Sequence, residues 1–187
     1  MSKFDEVQQE VESILPRSPL DFELVHSRLV LKWVCILRPD ADEALKIAAL
    51  SHDIDRAVTG ITEKDLKDFS KLNEFKKEHS LRSAQFIGEI LLKHQYPQQI
   101  IEKVKHLVGN HEFGGDEDTD VLTDADSIAY FDYNIPSYLK RNGKERTKEK
   151  INFMYNRLSE RAQQLVREIS YSDGEIAELV NAVTKKI

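Results

Sequence analysis

The sequence predicts an all-α, single-domain fold, and three observations carry that prediction. Apolar residues recur at helical spacing along most of the chain. Only seven glycines and five prolines occur in 187 residues, against an abundance of Leu, Ile, Ala, Lys and Glu, which favours helices over a turn-rich β fold. No segment carries a strand signal. The length suits one domain with a sizeable core and is short for two.

Taken in order, Val7, Val11 and Ile14-Leu15 form the apolar side of a leading helix that Pro16 and Pro19 stop. A second helix runs from Asp21 to about Arg38-Pro39, with Phe22, Val25, Leu29, Trp33 and Ile36-Leu37 on one side and His26 beside that stripe. Asp40, with Glu43 three residues on, reads as the N-cap of a third, which delivers His52 and Asp53. Thr62 opens a charged surface helix reaching Glu78, whose lysines and acids read as a solvated face. After His79, Leu81, Ala84, Ile87 and Ile90-Leu91-Leu92 mark an amphipathic helix to Gln95. Pro97 suits the first turn of the next, which carries Ile100-Ile101, Val104 and Leu107-Val108.

Gly109 to Asp118 is a glycine-rich acidic loop without the lysine of a phosphate-cradling P-loop. In the helix that follows, Val121-Leu122, Ala125 and Ile128-Ala129 form a stripe that Asp124 and Asp126 flank equally, so periodicity leaves both open. Asn134-Ile135-Pro136 and Arg141-Asn142-Gly143 are breaks. A long charged helix then runs to about Ser170 with Ile151, Met154, Leu158, Leu165 and Ile169 inward, and Ser172-Asp173 starts a last one.

With 40% hydrophobic and 32% charged residues, the composition is that of an ordinary globular protein. A net charge of −6 supplies no broad basic surface, so long nucleic acid is not an expected partner. The single cysteine, Cys35, excludes an internal disulfide and, set in Trp33-Val34-Cys35-Ile36-Leu37, reads as a buried, inert thiol. The acidic, polar N-terminus is unlike a signal peptide, and no apolar run approaches the length of a membrane span. A cytoplasmic location is the expectation.

The chemistry centres on His52-Asp53, directly after the apolar run Ile47-Ala48-Ala49-Leu50. Neighbours on a helix point about 100° apart, so the pair reaches one ion only from a helix edge. By itself the dipeptide does not define a site. The ordered set His26, His52-Asp53, His79, His111 and an aspartate of Asp124-Ala125-Asp126 is more specific.

That order resembles the HD-domain superfamily of metal-dependent phosphohydrolases over roughly residues 21–132. Leu24-Val25-His26-Ser27-Arg28-Leu29 looks like the family's first-histidine helix, and Ala48-Ala49-Leu50-Ser51-His52-Asp53 is similar to its A-x-L-x-H-D signature. His79-Ser80-Leu81-Arg82-Ser83-Ala84 resembles H-x-x-x-S-A, Val108-Gly109-Asn110-His111-Glu112-Phe113 resembles I-x-x-H-x-F, and Asp124-Ala125-Asp126-Ser127-Ile128 resembles D-A-D-x-L. Lys150-Ile151-Asn152-Phe153 to Arg161-Ala162 looks like the closing helix of the small bacterial and archaeal members. The resemblance implies a helical bundle spanning residues 1–187, with a metal-binding core at 21–132 and C-terminal helices at 136–187.

It also implies that His26, His52, Asp53 and Asp126 ligate one divalent ion, with Asp124 the alternative to Asp126. His79 and His111 match histidines that hold a second ion or the substrate phosphate. Asp53 matches a residue that ligates and orients the attacking water. Arg56, one turn beyond His52, is a candidate for the substrate phosphate, or else a partner of Asp55 or Asp53; Arg28 and Arg82 are weaker candidates. His94 and His106 read as surface residues.

Imidazole and carboxylate without thiolate suit Mn, Fe, Co, Ni or Mg, one ion or two. Such an ion lowers the pKa of bound water from about 15.7 toward about 7 and screens phosphoryl charge. The expectation is therefore a phosphomonoesterase or phosphodiesterase acting on a nucleotide or other small phosphate ester. The alternative is a catalytically silent nucleotide-binding or regulatory module. The charged helix from Lys144 to Ser170 offers a face for a homodimer.

Overall fold

The computed structural model describes residues 2–184, which are helical throughout with no strand among the described residues. Ser2 and Asp5 form a capping box that starts α1 (Lys3–Ile14), and a 3₁₀ turn follows at Leu15–Arg17. After it come α2 (Glu23–Leu37), α3 (Glu43–Ser51), α4 (Ile54–Thr59), α5 (Leu72–Lys93), α6 (Gln98–Asn110) and α7 (Glu117–Ala129). A π-turn at Tyr130–Asn134 leads into α8 (Ile135–Asn142), followed by α9 (Lys144–Asn156), α10 (Glu160–Glu168) and α11 (Gly174–Thr184).

The most enclosed helix is α3. Every residue from Ala44 to Ser51 except Lys46 is buried, so α3 has no wet face to speak of and is enclosed by α1, α2, α6 and α7. Its last residue hands over to His52 and Asp53, where the backbone leaves the helix: Asp53 has φ −107° and ψ 14° before α4 begins. The pair is therefore not splayed along one helix. It occupies a corner between two, which turns both side chains the same way. Gly60, at φ +73°, then closes α4 in a left-handed conformation that favours glycine.

One hydrophobic core runs from Val7 on α1 to Val180 on α11, so the C-terminal helices share it with the segment at 21–132. Phe131 is fully buried, with Tyr155 of α9 edge-on to its ring.

Several sequence expectations are corrected. Asp42, not Asp40, caps α3, accepting from the Leu45 amide at 2.9 Å. The charged stretch from Thr62 is no single surface helix: it is two 3₁₀ turns, and residues 72–78 are the opening turns of the same helix that carries His79. Pro97 is the cap before α6 rather than its first turn, and α6 extends to Asn110, shortening the acidic loop. Asn134-Ile135-Pro136 is not a break, because the proline falls in the first turn of α8, where its missing N–H costs nothing. The long C-terminal helix is divided between α9 and α10, with Val166 rather than Leu165 fully inward.

On α2 the buried face is rotated from the apolar stripe. Glu23, His26 and Ser27 are inside with Val30, Trp33, Val34 and Leu37, while Val25 and Ile36 are exposed. Cys35 lies on that outward side and is exposed, not buried. The polar residues won the inward face because α2 walls the site.

Candidate metal centre and its pocket

Five elements aim histidines and aspartates at one buried point. His26 comes from α2, His52 and Asp53 from the corner between α3 and α4, His79 from α5, His111 from the end of α6, and Asp126 from α7. All the histidines and Asp53 are buried. Nε2 of His26 lies 3.1 Å from Asp126 Oδ1, and Nε2 of His52 lies 3.4 Å from Asp53 Oδ2 and 3.8 Å from Asp126 Oδ1. On the other side of Asp53, its Oδ1 is 2.8 Å from His79 Nε2 and 3.6 Å from His111 Nε2.

Two groups of potential ligands result, His26 with His52 and Asp53, and Asp53 with His79 and His111, each with ligand atoms within 4.8 Å of one another. Asp53 belongs to both and presents a different oxygen to each.

The far nitrogen of every ring is held by an acceptor. His26 Nδ1 faces Asn134 Oδ1 at 3.3 Å, His52 Nδ1 the Ala49 carbonyl at 3.0 Å, His111 Nδ1 the Val108 carbonyl at 2.7 Å, and His79 Nδ1 Asp55 Oδ2 at 2.9 Å. Each acceptor suits a proton on Nδ1 and leaves Nε2 turned inward, the arrangement that metal-ligating histidines require. The π-turn after α7 is what brings Asn134 back toward His26.

The set demands positive charge. His52 Nε2 is buried without a hydrogen-bond partner while facing two carboxylates. Burial opposes charging that ring, yet Asp53 and Asp126 overcome it and push it up to about 9. Burial would raise Asp53, and Arg56 and His52 instead hold it well below the ordinary carboxylate range. Asp126 is likewise held down, burial being outweighed by the His26 hydrogen bond. A divalent ion in place of those protons meets the same demand with a fitting donor set of imidazole nitrogen and carboxylate oxygen.

The open choice between the two aspartates is resolved by geometry. Asp124 accepts from the backbone N–H and the hydroxyl of Ser159, the N-cap of α10, whereas Asp126 faces His26 and His52. Arg56 is half-buried and paired with Asp53 and, at 3.3 Å, with Glu23. It lines the pocket already engaged with those carboxylates rather than facing solvent. His79 does not line the pocket; both its nitrogens are occupied by aspartates, which is a ligand's or positioning residue's place rather than a phosphate holder's. Arg82 grips Asp55 with two donors at 2.9 Å, so it acts behind His79. Arg28 pairs with Glu12 on the surface. His106 is exposed beside Asp116, and His94 is half-buried, paired with Glu10.

Over the cluster lies a cavity of about 360 Å³, within the usual range for small-molecule sites. His26, Asp53, His111 and Asp126 line it on the cluster side, and Arg146, Lys150 and Arg157 on the side of the C-terminal helices. Sequence reasoning missed these cations. It also missed Lys76, which is buried and joined to Glu112 at 2.8 Å. Burial raises the Glu112 carboxyl, but Lys76 and His111 override it and bring it to about 2. The lysine was legible only as one of several in a charged stretch; nothing in the local pattern marks it as the inward one.

The fold and cluster together define an all-α protein with a buried histidine-aspartate centre able to hold a metal ion. The chain belongs to the family described as a domain of unknown function, DUF4202, whose profile matches residues 2–180. No curated protein and no solved structure matches it. No helix among the described residues is long and apolar enough to cross a membrane.

Proposed function

We propose that the protein is an HD-type metal-dependent phosphohydrolase acting on a small phosphate ester such as a nucleotide. The observation that carries this reading is the convergence of inward Nε2 atoms on Asp53 and Asp126 at the floor of a cavity with cationic walls. When bound, a divalent ion acidifies water and neutralises phosphoryl charge.

The chain's own residues do the rest. His26, His52 and Asp53, with Asp126 beside them, would hold one ion, and Asp53 with His79 and His111 would hold a second. Asp53, reached by Arg56 on one side and His79 on the other, is fixed in orientation and orients the attacking water by a hydrogen bond. Asp55 and Arg82 keep the His79 ring turned toward Asp53. Lys76 and Arg157, gathered on Glu112, make the facing wall of the cavity cationic.

The test is metal content together with a phosphatase and phosphodiesterase screen in Mn, Co, Ni or Mg. Metal bound at one or two ions per chain, with turnover lost in His52→Ala and Asp53→Ala while the helical fold persists, is the expected result. Absence of both metal and turnover refutes it. The Arg56–Asp53 ion pair favours a second reading, a silent nucleotide-binding module, since it ties up a carboxylate oxygen the chemistry needs. Tight nucleotide binding with zero turnover in metal-loaded protein would select that reading.

A further inference from the structure

The cavity wall opposite the metal cluster has more positive charge than one phosphoryl group needs. Seven lysines and arginines line the cavity against four carboxylates, although the chain as a whole carries −6. Two of those carboxylates, Asp53 and Asp126, belong to the metal cluster. A third, Glu112, is shared by Lys76 and Arg157 at 2.8 and 3.7 Å.

The surplus is concentrated. The ammonium groups of Lys76 and Lys150 and the guanidinium of Arg157 lie 5.3, 5.7 and 6.0 Å from the centre of one ring, Phe153. Three like charges around a single aromatic ring repel one another, and the ring's attraction for each is modest. Lys150 forms no ion pair with any carboxylate among the described residues. Burial and the nearby Lys76 hold it below the ordinary lysine value, against the pull of Glu63 and Glu112. Arg146, one turn earlier on α9, has no carboxylate partner among the described residues and lies over the Phe69 ring at 5.5 Å. Such an arrangement is complete only with an anion in it.

We infer that the substrate carries a second phosphoryl group besides the one hydrolysed, and that Lys150 with Lys76 and Arg157 holds it. The inference rests on the phosphohydrolase reading for the reaction at the metal cluster, but the charge of the wall is independent of it.

The experiment is titration calorimetry of orthophosphate and pyrophosphate into wild-type protein, Lys150→Ala and Lys150→Arg in excess magnesium, so that chelation is the same for every variant. Pyrophosphate is expected to bind about tenfold or more tighter than orthophosphate. Lys150→Ala should remove about tenfold of pyrophosphate affinity with less than about threefold loss for orthophosphate, and Lys150→Arg should restore most of it. Lys150 is half-buried at the cavity wall, and unchanged thermal unfolding of Lys150→Ala verifies that the fold is kept. Equal affinity for the two anions, or equal loss of both in Lys150→Ala, overturns the inference. Selective loss of pyrophosphate in a protein that hydrolyses nothing would support the anion site and refute the phosphohydrolase. Hydrolysis of a monophosphate ester with no preference for pyrophosphate would do the reverse.

Discussion

Asn134→Ala tests the metal centre from outside its ligand set. The Asn134 side-chain oxygen accepts from His26 Nδ1 at 3.3 Å and thereby keeps Nε2 turned toward Asp126. Removing such an outer partner typically costs 10–100-fold in metal affinity. The bond is at the long end of the hydrogen-bond range, so the lower figure applies, about tenfold or about 1.4 kcal/mol. With metal at about 100 times its dissociation constant, binding stabilises wild-type protein by about 2.7 kcal/mol; a tenfold weaker site at the same concentration gives about 1.4 kcal/mol. For a chain of this size each kcal/mol moves the melting temperature by about 2–4 °C. Thermal unfolding with and without metal should then show a metal-induced shift of about 5–11 °C in wild type and about half that in Asn134→Ala. An equal shift in the two proteins would refute the claim that Asn134 sets the His26 ring for a metal.

The two aspartates of α7 should separate cleanly. Asp126→Ala should abolish metal binding by calorimetry while the protein stays folded, whereas Asp124→Ala should keep its metal and lose about 1 kcal/mol of stability in urea by leaving the Ser159 amide and hydroxyl without their acceptor. In the core, Ile47→Ala on α3, where the side chain is fully buried, should cost about 2–5 kcal/mol by urea unfolding; a loss under about 1 kcal/mol would show that α3 is not tightly enclosed. Asp116 caps α7, and the His106 side chain and the Thr119 amide hold its carboxyl below the ordinary value of 3.8. Because the folded value is depressed, its contribution is present above about 3.8 and lost as pH falls through the folded value; Asp116→Ala should cost about 1 kcal/mol at pH 7, and the gap from wild type should close as the pH is taken well below 3.8.

How much of this was legible in the sequence depended on the range of the interaction. Periodicity located most of the helices because each obeys its own local spacing. It misjudged α2, where the apolar stripe of Val25 and Ile36 lost the interior to Glu23, His26 and Ser27; a helix lining a site buries polar groups that partners from elsewhere satisfy, and those partners are not local. The same reason explains Asp124 and Asp126. Their flanks are equivalent in periodicity, and only Ser159, 35 residues away, decides which one is withdrawn from the cluster.

The ligand set could be assembled in order from resemblance because its members are sparse and of distinctive chemistry. The cationic wall could not. Lys76 and Lys150 lie 74 residues apart in stretches so rich in charge that any lysine reads as solvated, and the two meet only around Phe153. A histidine announces itself by rarity, whereas a lysine becomes informative only when the fold turns it inward. That asymmetry has a functional consequence: residues that would perform the reaction are visible in the chain, while those that would choose the substrate emerge from how α9 closes over the cluster. Substrate preference in this family should therefore follow the residues at positions 76, 146, 150 and 157 more closely than the histidines, and exchanging Lys150 should change which phosphate ester is preferred without changing which metal is bound.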